Sequence, residues 1–363
     1  MNPALGVSIR ILAYNWRDIC NPSAGGAEVY THQILHRLVN SGHEATVFTS
    51  AFKGCQAEEI IDGVKYVRNG GRLSVYSKAK RFYHRFGDAY DLVIDEINTV
   101  PFMTPKFVEH SKIVALIHQL AREFWFYETP YPVAWIGYRF LEHRWLRLYR
   151  SIPTITVSSS TKIELEELGF RRVSVVHNGL NTIPRKSVPE KSLEPTIVFV
   201  GRMKKAKKPG DVVEAFNVLK QKHPTLHLTM VGDGYCRESL MNENRDVEFV
   251  GYVPRDTRDE LVKRAWVIAV PGVREGWGQV VTDANALGTP AVGYDIPGLR
   301  DSIIDGHSGI LVKPNPTSLA AGLDSILSDN QMRRDMTSKA LEWSRSFDWD
   351  RSAREFEAAI LRR

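Results

Sequence analysis

Two carboxylates lie on either side of a glycine-containing loop in the second half of the chain. Glu275 precedes the loop Gly276-Trp277-Gly278, and Asp283 follows it within the first turns of a predicted helix. A helix that begins at such a loop presents unpaired backbone N–H groups and the positive end of its dipole, and both favour an anion. The carboxylates could bind hydroxyl groups on both sides of that anion. A sugar joined to a ribose through a diphosphate has this layout.

A cationic loop follows another predicted strand. Residues 196–200 form an apolar, β-branched run that predicts a buried strand, and Gly201 and Arg202 come next. Four lysines follow within six residues, at Lys204, Lys205, Lys207 and Lys208. An arginine can bind a diphosphate through two parallel hydrogen bonds. Taken alone, the loop fits a lysine-rich surface equally well, and the Glu275 unit favours phosphate binding.

Three further motifs have simple alternative interpretations. Gly25 and Gly26 open the first predicted helix and would let a ligand approach the backbone, although a plain tight turn also fits. His118 ends an apolar run, where it could hydrogen-bond a ligand, although a lone histidine is more often structural. Residues 232–234 predict a tight turn. The G-x-G-x-x-G dinucleotide fingerprint is absent, which argues against a dehydrogenase.

The segment 124–150 is rich in aromatic residues and arginines. The arginines are Arg139, Arg144, Arg147 and Arg150. Such a segment, with the basic run 78–85, could dock at an anionic membrane surface. An aromatic core helix with a solvated basic face explains the same residues at least as well.

Composition describes a globular protein with a mildly basic surface. The 363 residues predict two domains, and the chain is 43% apolar and 25% charged. The net charge of +6 is compatible with anionic partners. No apolar run reaches the length of a membrane helix, and residues 1–6 lack the features of a signal peptide. Three scattered cysteines predict a reducing, cytoplasmic location and neither a disulfide framework nor a zinc site.

Short β-branched runs alternate with amphipathic helical runs along the chain. The predicted strands are Ser8–Tyr14, Ala45–Thr49, Leu92–Ile94, Ile113–Ile117, Thr154–Val157, Val173–Val176, Thr196–Val200, Leu226–Val231, Val247–Val250, Val267–Val270 and Ala291–Tyr294. Strands separated by helices predict right-handed βαβ units on parallel sheets. A proline-rich break at 181–195 divides the pattern. We therefore predict one domain over residues 1–182 and a second over residues 194–346.

An ordered set of motifs, spread over nearly the whole chain, resembles the retaining nucleotide-sugar glycosyltransferases of family four. The matching pieces are Gly25-Gly26-Ala27-Glu28, Gly42-His43, His118, Asn178-Gly179, Val200-Gly201-Arg202 with Lys207, Val231-Gly232-Asp233-Gly234, Glu275-Gly276-Trp277-Gly278 through Asp283, Gly288-Thr289-Pro290, Gly298-Leu299 and Gly309–Val312. The resemblance implies an α/β protein of the GT-B fold, with two Rossmann-like doubly wound domains facing a central cleft. It also implies that a C-terminal helix at about 347–363 packs back on the first domain.

The resemblance implies roles for the charged residues. Arg202 and Lys207 would bind the donor diphosphate, with Lys208 as the alternative lysine, and Glu275 would contact the donor sugar. Asp283 stands where the family has a second glutamate for the ribose hydroxyls, and the aspartate is one methylene shorter.

It implies roles for the remaining site residues as well. The backbone of Gly276, Trp277, Gly278 and Gln279 would meet the sugar and phosphates, and Tyr252 would meet the base. Gly25 and Gly26 would lie against the diphosphate or the acceptor. His118 would lie beside the donor sugar. The catalytic set implied in this way is His118, Arg202, Lys207 and Glu275.

We therefore expect transfer of a sugar from a UDP- or GDP-type donor to an acceptor hydroxyl, with retained configuration. The acceptor could be a glycan or lipid-linked, which would place the protein at the inner face of the cytoplasmic membrane. No metal, cofactor or nucleic acid is expected. The alternatives are a nucleotide-sugar 2-epimerase of the same fold and a non-catalytic partner subunit.

Overall fold

The computed structural model describes residues 8–362. Residues 1–7, on which the expectation about a signal peptide rests, lie outside the described residues, as does Arg363.

The chain forms two compact units. The first comprises the residues up to Arg122, Trp135–Gly179 and the residues from Trp349 onward, and the second comprises Glu123–Ala134 and Leu180–Asp348. The sequence does not predict the transfer of Glu123–Ala134 to the second unit, because the segment is flanked on both sides by residues of the first.

The first unit is built on an eight-stranded sheet. In chain order its strands are β1 (Arg10–Tyr14), β2 (Glu44–Thr49), β3 (Glu58–Ile61), β4 (Val64–Arg68), β5 (Leu92–Glu96), β6 (Ile113–Ile117), β7 (Thr154–Thr156) and β8 (Val173–Val175). Their order in the sheet is β3-β4-β2-β1-β5-β6-β7-β8, and every neighbouring pair is parallel except β3 and β4. β5 and β6 are fully buried, and β1 is buried except for Arg10; their apolar residues are those that a parallel sheet covered on both faces requires.

The second unit is built on a six-stranded parallel sheet. Its strands are β9 (Thr196–Val200), β10 (His227–Val231), β11 (Glu248–Gly251), β12 (Val267–Val270), β13 (Ala291–Tyr294) and β14 (Gly309–Val312). Their order is β11-β10-β9-β12-β13-β14. The loops that follow β9 and β12 therefore leave adjacent strands at the same edge. Two Rossmann-like parallel-sheet units confirm the predicted fold class.

Helices connect the strands. They are α1 (Gly26–Asn40), α2 (Val75–Phe86), α3 (Trp125–Glu128), α4 (Tyr131–Ile136), α5 (Glu142–Leu146), α6 (Ser159–Glu167), α7 (Pro209–Lys222), α8 (Arg237–Glu243), α9 (Arg255–Arg264), α10 (Gln279–Ala286), α11 (Leu299–Ser302), α12 (Pro316–Ser328), α13 (Asn330–Ser344) and α14 (Trp349–Leu361). The aromatic segment 124–150 thus contains the short α3 and then an unbroken helical stretch over 131–149, which consists of α4, a π-helical turn at Gly137–Leu141, α5 and a 3₁₀ turn at Arg147–Tyr149. No helix within residues 8–362 is long and apolar enough to cross a membrane.

A hairpin at the edge of the first sheet was not predicted. Asp62 and Gly63 join β3 to β4, and both have positive φ, of 48° and 81°. A two-residue type I′ turn needs this geometry, and an Asp-Gly pair between β-branched runs is its usual sequence signal. The signal was therefore present in the sequence.

The last helix belongs to the first unit and packs on α1. Arg37 pairs with Asp350 at 2.5 Å, and His43 Nε2 lies 3.0 Å from a Glu357 oxygen. A Cβ on Gly179 would lie 2.4 Å from the backbone nitrogen of Trp349, so only glycine fits there.

The proline-rich break at 181–195 is docked on the second unit. Lys191 is half-buried and donates to the Lys263 carbonyl at 2.9 Å and to Thr289 Oγ1 at 2.8 Å. Burial, with a smaller contribution from Arg333, lowers the pKa of Lys191 to about 7. The segment therefore has defined tertiary contacts on this unit.

Candidate active site

The cationic loop after β9 is held by two glycines of a neighbouring loop. A Cβ on Gly232 would lie 2.0 Å from the Gly201 carbonyl oxygen, and one on Gly234 would lie 2.5 Å from the Met203 carbonyl oxygen. Met203 N also donates to the Asp233 carbonyl at 2.8 Å. Residues 232–234 are therefore more than the predicted tight turn, since their missing side chains let the two loops pack backbone against backbone beside Arg202.

Lys207 and Glu275 form an ion pair between the loops that follow β9 and β12. Lys207 lies in a single 3₁₀ turn, Lys205–Lys207, and the Glu275 side chain is largely buried. Lys208 takes a different direction and pairs with Asp211 at 3.3 Å. The structure thus brings Lys207, and not Lys208, to the predicted sugar-binding carboxylate.

Close backbone packing fixes the Glu275 loop. A Cβ on Gly298 would lie 2.2 Å from the Glu275 carbonyl oxygen, and Gly298 has a φ of +82°. A Cβ on Gly272 would lie 2.8 Å from Glu275 Oε1. Gly298 therefore requires glycine, because a side chain would push the Glu275 backbone aside, whereas a side chain at Gly272 would displace the Glu275 carboxylate.

The loop runs into α10 through Gly278, whose φ of +87° suits glycine. The N-cap is a glycine and so has no side chain to cap the helix, and the first turn of α10 has no acidic residue. Trp277 is buried against Phe347, with ring centroids 5.1 Å apart, so the indole anchors the loop. The N-terminus of α10 keeps the positive partial charge that suits an anion.

Asp283 is buried one turn further along α10. Its Oδ1 accepts from Asn181 N at 2.9 Å and Gln279 Nε2 at 3.0 Å, and its Oδ2 accepts from Asn181 Nδ2 at 3.3 Å. Burial raises the pKa of Asp283, and these hydrogen bonds oppose the shift. A carboxylate has about four acceptor positions, and three are occupied here. Its role in holding residue 181 was not visible in the sequence.

Tyr252 follows β11 and is 88% exposed. Gly251 before it has a φ of +72°. The structure does not pack this ring into the protein, so base contact by Tyr252 stays a prediction.

In the first unit, the Gly25-Gly26 motif opens α1 as expected from its sequence. Glu28 Oε2 accepts from Gly25 N at 2.6 Å, and Glu28 Oε1 accepts from Arg17 Nε at 2.9 Å. The positive end of α1 is thus met by a carboxylate of the same chain. A Cβ on Gly26 would find nothing within 4 Å, so the surface beside Gly26 is open.

His118 follows β6 and is buried beside a carboxylate that sequence reasoning missed. Its Nε2 lies 3.2 Å from Glu96 Oε1, and Thr31 Oγ1 donates to Glu96 Oε2 at 2.6 Å. Burial raises the pKa of Glu96. The signal was a glutamate at the carboxyl end of the strand Leu92–Glu96, the edge where ligands bind in such sheets.

Within residues 8–362 no group of three or more His, Cys, Asp or Glu side chains is placed to hold a metal ion.

Two family models match adjoining parts of the chain. The model described as Glycosyltransferase Family 4 matches residues 24–183, and the one described as Glycosyl transferases group 1 matches residues 182–343.

Individual proteins are similar as well. An uncharacterised glycosyltransferase of Methanocaldococcus jannaschii is 32% identical over 58% of this chain and 60% of its own length, so the match spans less than two thirds of that relative. A D-inositol 3-phosphate glycosyltransferase of Corynebacterium urealyticum is 24% identical over 92% of this chain and 89% of its own. The structure of HepE from Anabaena in complex with UDP-glucose has a TM-score of 0.71 at 16% identity, over 98% of this chain and 100% of that one.

The HepE likeness shows the fold, and the two family models together cover both units. The chain is a glycosyltransferase of the GT-B fold and belongs to glycosyltransferase family four.

Proposed function

We propose that the protein transfers a sugar from a UDP- or GDP-type nucleotide-sugar to an acceptor hydroxyl with retained anomeric configuration. The observation that carries this proposal is the Lys207–Glu275 pair beside the N-terminus of α10, whose first turn has no acidic residue. It puts a cation for phosphate, a carboxylate for sugar hydroxyls and a helix dipole at one sheet edge. The similar HepE chain binds UDP-glucose, which supports this class of donor.

In this proposal the bond from the sugar C1 to the β-phosphate oxygen breaks, and the acceptor oxygen forms the new bond to C1 on the same face. The departing phosphate takes the acceptor proton. Arg202, Lys207 and the α10 N-terminus stabilise the negative charge that develops on the phosphate, which is the preorganised electrostatics that enzymes use most. Glu275 orients the sugar. The proposed step uses no metal or cofactor.

In this proposal the remaining site residues contact other parts of the bound nucleotide-sugar or the acceptor. Asp283 binds a ribose hydroxyl through its remaining acceptor position, and Tyr252 stacks on the base. His118 faces the sugar, with Glu96 orienting its imidazole ring. Gly26 lies against the diphosphate or the acceptor.

A thermal-shift screen with UDP, GDP, UDP-glucose and GDP-mannose tests the donor, because ligand binding raises the melting temperature by mass action. We expect one nucleotide series to stabilise the protein. Proton NMR of the product then tests retention, and an inverted anomer would refute the mechanism. An epimerised sugar formed from the donor alone would favour the 2-epimerase, and no shift with any nucleotide would contradict a nucleotide-sugar donor.

We further propose an anionic membrane surface as the acceptor's environment, on the cytoplasmic side. Trp135, Ile136 and Phe140 of the first unit are 46%, 44% and 54% exposed. Within residues 8–362, the exposed Arg139 and Arg147 form no ion pair. Exposed apolar rings next to unpaired arginines are what an interfacial segment needs.

The positive electrostatic potential around His143 supports the docking of this surface on an anionic membrane. Burial and then the positive charges of Arg122, Arg147, Arg150 and Arg139 lower the pKa of His143. Each arginine near an anionic bilayer contributes about 1 kcal/mol of attraction.

Sedimentation with phosphatidylcholine vesicles, with or without phosphatidylglycerol, tests the surface. We expect binding to the anionic vesicles only, weakened by salt and by Arg139→Glu with Arg147→Glu. Equal binding by that double variant, or no binding by the wild type, would contradict the proposal.

A further inference from the structure

The segment Glu123–Ala134 lies in the second unit although its neighbours in sequence lie in the first. We call it the strap. It begins five residues after His118, and its helix α3 packs on the 3₁₀ turn that contains Lys207. Trp125 is buried, so the packing is apolar as well as electrostatic.

One end of the strap is attached to the Glu275 loop. Glu123 Oε2 lies 3.0 Å from Arg274 Nη1, and Arg274 directly precedes Glu275. The Arg274 side chain is 6% exposed, whereas that of Glu123 is 54% exposed. A guanidinium this deeply buried depends on its carboxylate partner more than a surface arginine does, because it has little access to water.

The other end is attached to the cationic loop. Glu128 Oε2 lies 3.5 Å from Lys204 Nζ, and Glu128 Oε1 accepts from the Tyr235 hydroxyl at 3.3 Å. That hydroxyl oxygen in turn accepts from Lys205 N at 2.9 Å. Glu128 is therefore connected to the loop through a side chain and through the backbone.

These contacts connect the same two loops that Lys207 and Glu275 join directly. We propose that Glu123 and Glu128 are positioning residues that hold the Arg202 loop and the Glu275 loop at the spacing the donor requires. The inference rests on the proposed function, since it assigns the two loops to one donor. It goes beyond that function because the two positioning side chains lie on a segment that the sequence assigns to the first domain, residues 1–182.

The spacing matters because catalysis by positioned charges is lost with displacements of about 1 Å. A nucleotide-sugar must meet Arg202 and Lys207 at its phosphates while Glu275 holds its sugar. If the strap contacts were ordinary surface ion pairs, their removal would leave the positions of the Arg202 loop and the Glu275 loop unchanged.

The test compares Glu123→Gln, Glu128→Gln and a matched control, Glu166→Gln. Glu166 has a 51% exposed side chain and pairs with Lys162 at 3.8 Å on α6 of the first unit, so this control removes an ion pair elsewhere whose carboxylate is about as exposed as that of Glu123. Amide hydrogen exchange of the ligand-free protein is measured first. We expect exchange in residues 201–208 and 272–279 to rise at least about threefold in the strap variants and to stay unchanged in the control.

Steady-state kinetics follow, with UDP-glucose or GDP-mannose, whichever stabilises the wild type. We expect Glu123→Gln to raise the donor KM about tenfold and Glu128→Gln about threefold, with less than about twofold change in the control. The charge swap Glu123→Arg with Arg274→Glu should recover most of the Glu123→Gln loss.

Unchanged exchange in both loops would overturn the proposal, as would a lower melting temperature with unchanged KM and kcat. Absence of turnover in the wild type would count against the proposed function, and the exchange measurement would still decide the role of the strap.

Discussion

Two helices begin at glycines in comparable positions, α1 in the first unit and α10 in the second, and they treat their positive ends differently. At α1 the Glu28 carboxylate accepts from Gly25 N and pairs with Arg17. At α10 the N-cap is Gly278, which has no side chain, and the first turn has no acid. One helix end is thus neutralised from within the chain, whereas the other remains suited to an external anion.

This difference indicates which of the two helix starts is better suited to bind phosphate, and α10 is the better suited. The sequence makes both of them candidates because both combine glycine with a helix start. We therefore propose α10 as the main diphosphate site, with a smaller contribution from Gly25-Gly26. Five predictions test this ranking.

The largest effect is expected for Arg202→Ala, on the loop beside α10. Loss of the Arg202 guanidinium, which would stabilise the negative charge on the departing phosphate, should lower kcat about 10²- to 10³-fold, while the circular dichroism spectrum stays unchanged. Transfer and donor hydrolysis should fall together. Near wild-type turnover would show that Arg202 does not bind the phosphates.

Gly298→Ala should displace the loop that leads into α10. Its new Cβ would meet the Glu275 carbonyl oxygen at 2.2 Å, and we expect kcat/KM to fall about a hundredfold. Gly306→Ala is the control, since Gly306 also has a positive φ, of +69°, but nothing lies within 4 Å of its Cβ position. Equal losses in both variants would mean that backbone strain alone is responsible.

Lys207→Met should lower kcat/KM about thirtyfold, because its ammonium group lies beside Glu275. Lys208→Met should change it less than about threefold, because Lys208 pairs with Asp211. Steady-state kinetics with both variants decides between the lysines, and the reverse ranking would contradict the geometry.

Gly26→Ala tests the part left to α1. The added methyl group meets no atom of the protein, so the melting temperature should not fall. If ligand lies against Gly26, kcat/KM should drop about tenfold. Gly71→Ala, which also has open space at its Cβ position, serves as the control. Unchanged kinetics would assign the whole diphosphate site to the second unit.

The smallest effect concerns Asp283 and pH. Its pKa is raised in the folded state, so between its ordinary and raised values the folded protein holds more protons than the unfolded one. The free energy of unfolding should therefore fall as pH rises through that window. Asp283→Asn should lack this fall in urea titrations at a series of pH values. Parallel pH profiles would show that Asp283 is not perturbed.

Local patterns predicted the strands of the central sheet regions and most of the charged site residues. Apolar β-branched runs such as Thr196–Val200 report burial directly, and the glycines near Glu275 mark a strand-end loop. The β3–β4 hairpin was missed although its Asp-Gly turn was readable. Glu96 was missed although its place at the carboxyl end of a strand was readable, because only the tertiary structure puts it beside His118.

The sequence by itself determined the fold class and the inventory of chemical groups, because hydrophobic periodicity and turn residues act over a few positions. Tertiary structure alone decided which groups meet. Lys207 reaches Glu275 because β9 and β12 are neighbours in the sheet, 67 positions apart at Val200 and Val267. Likewise, the strap joins the second unit although its neighbours in sequence belong to the first. These pairings depend on strand order and on long-range packing, and no short stretch of sequence contains that information.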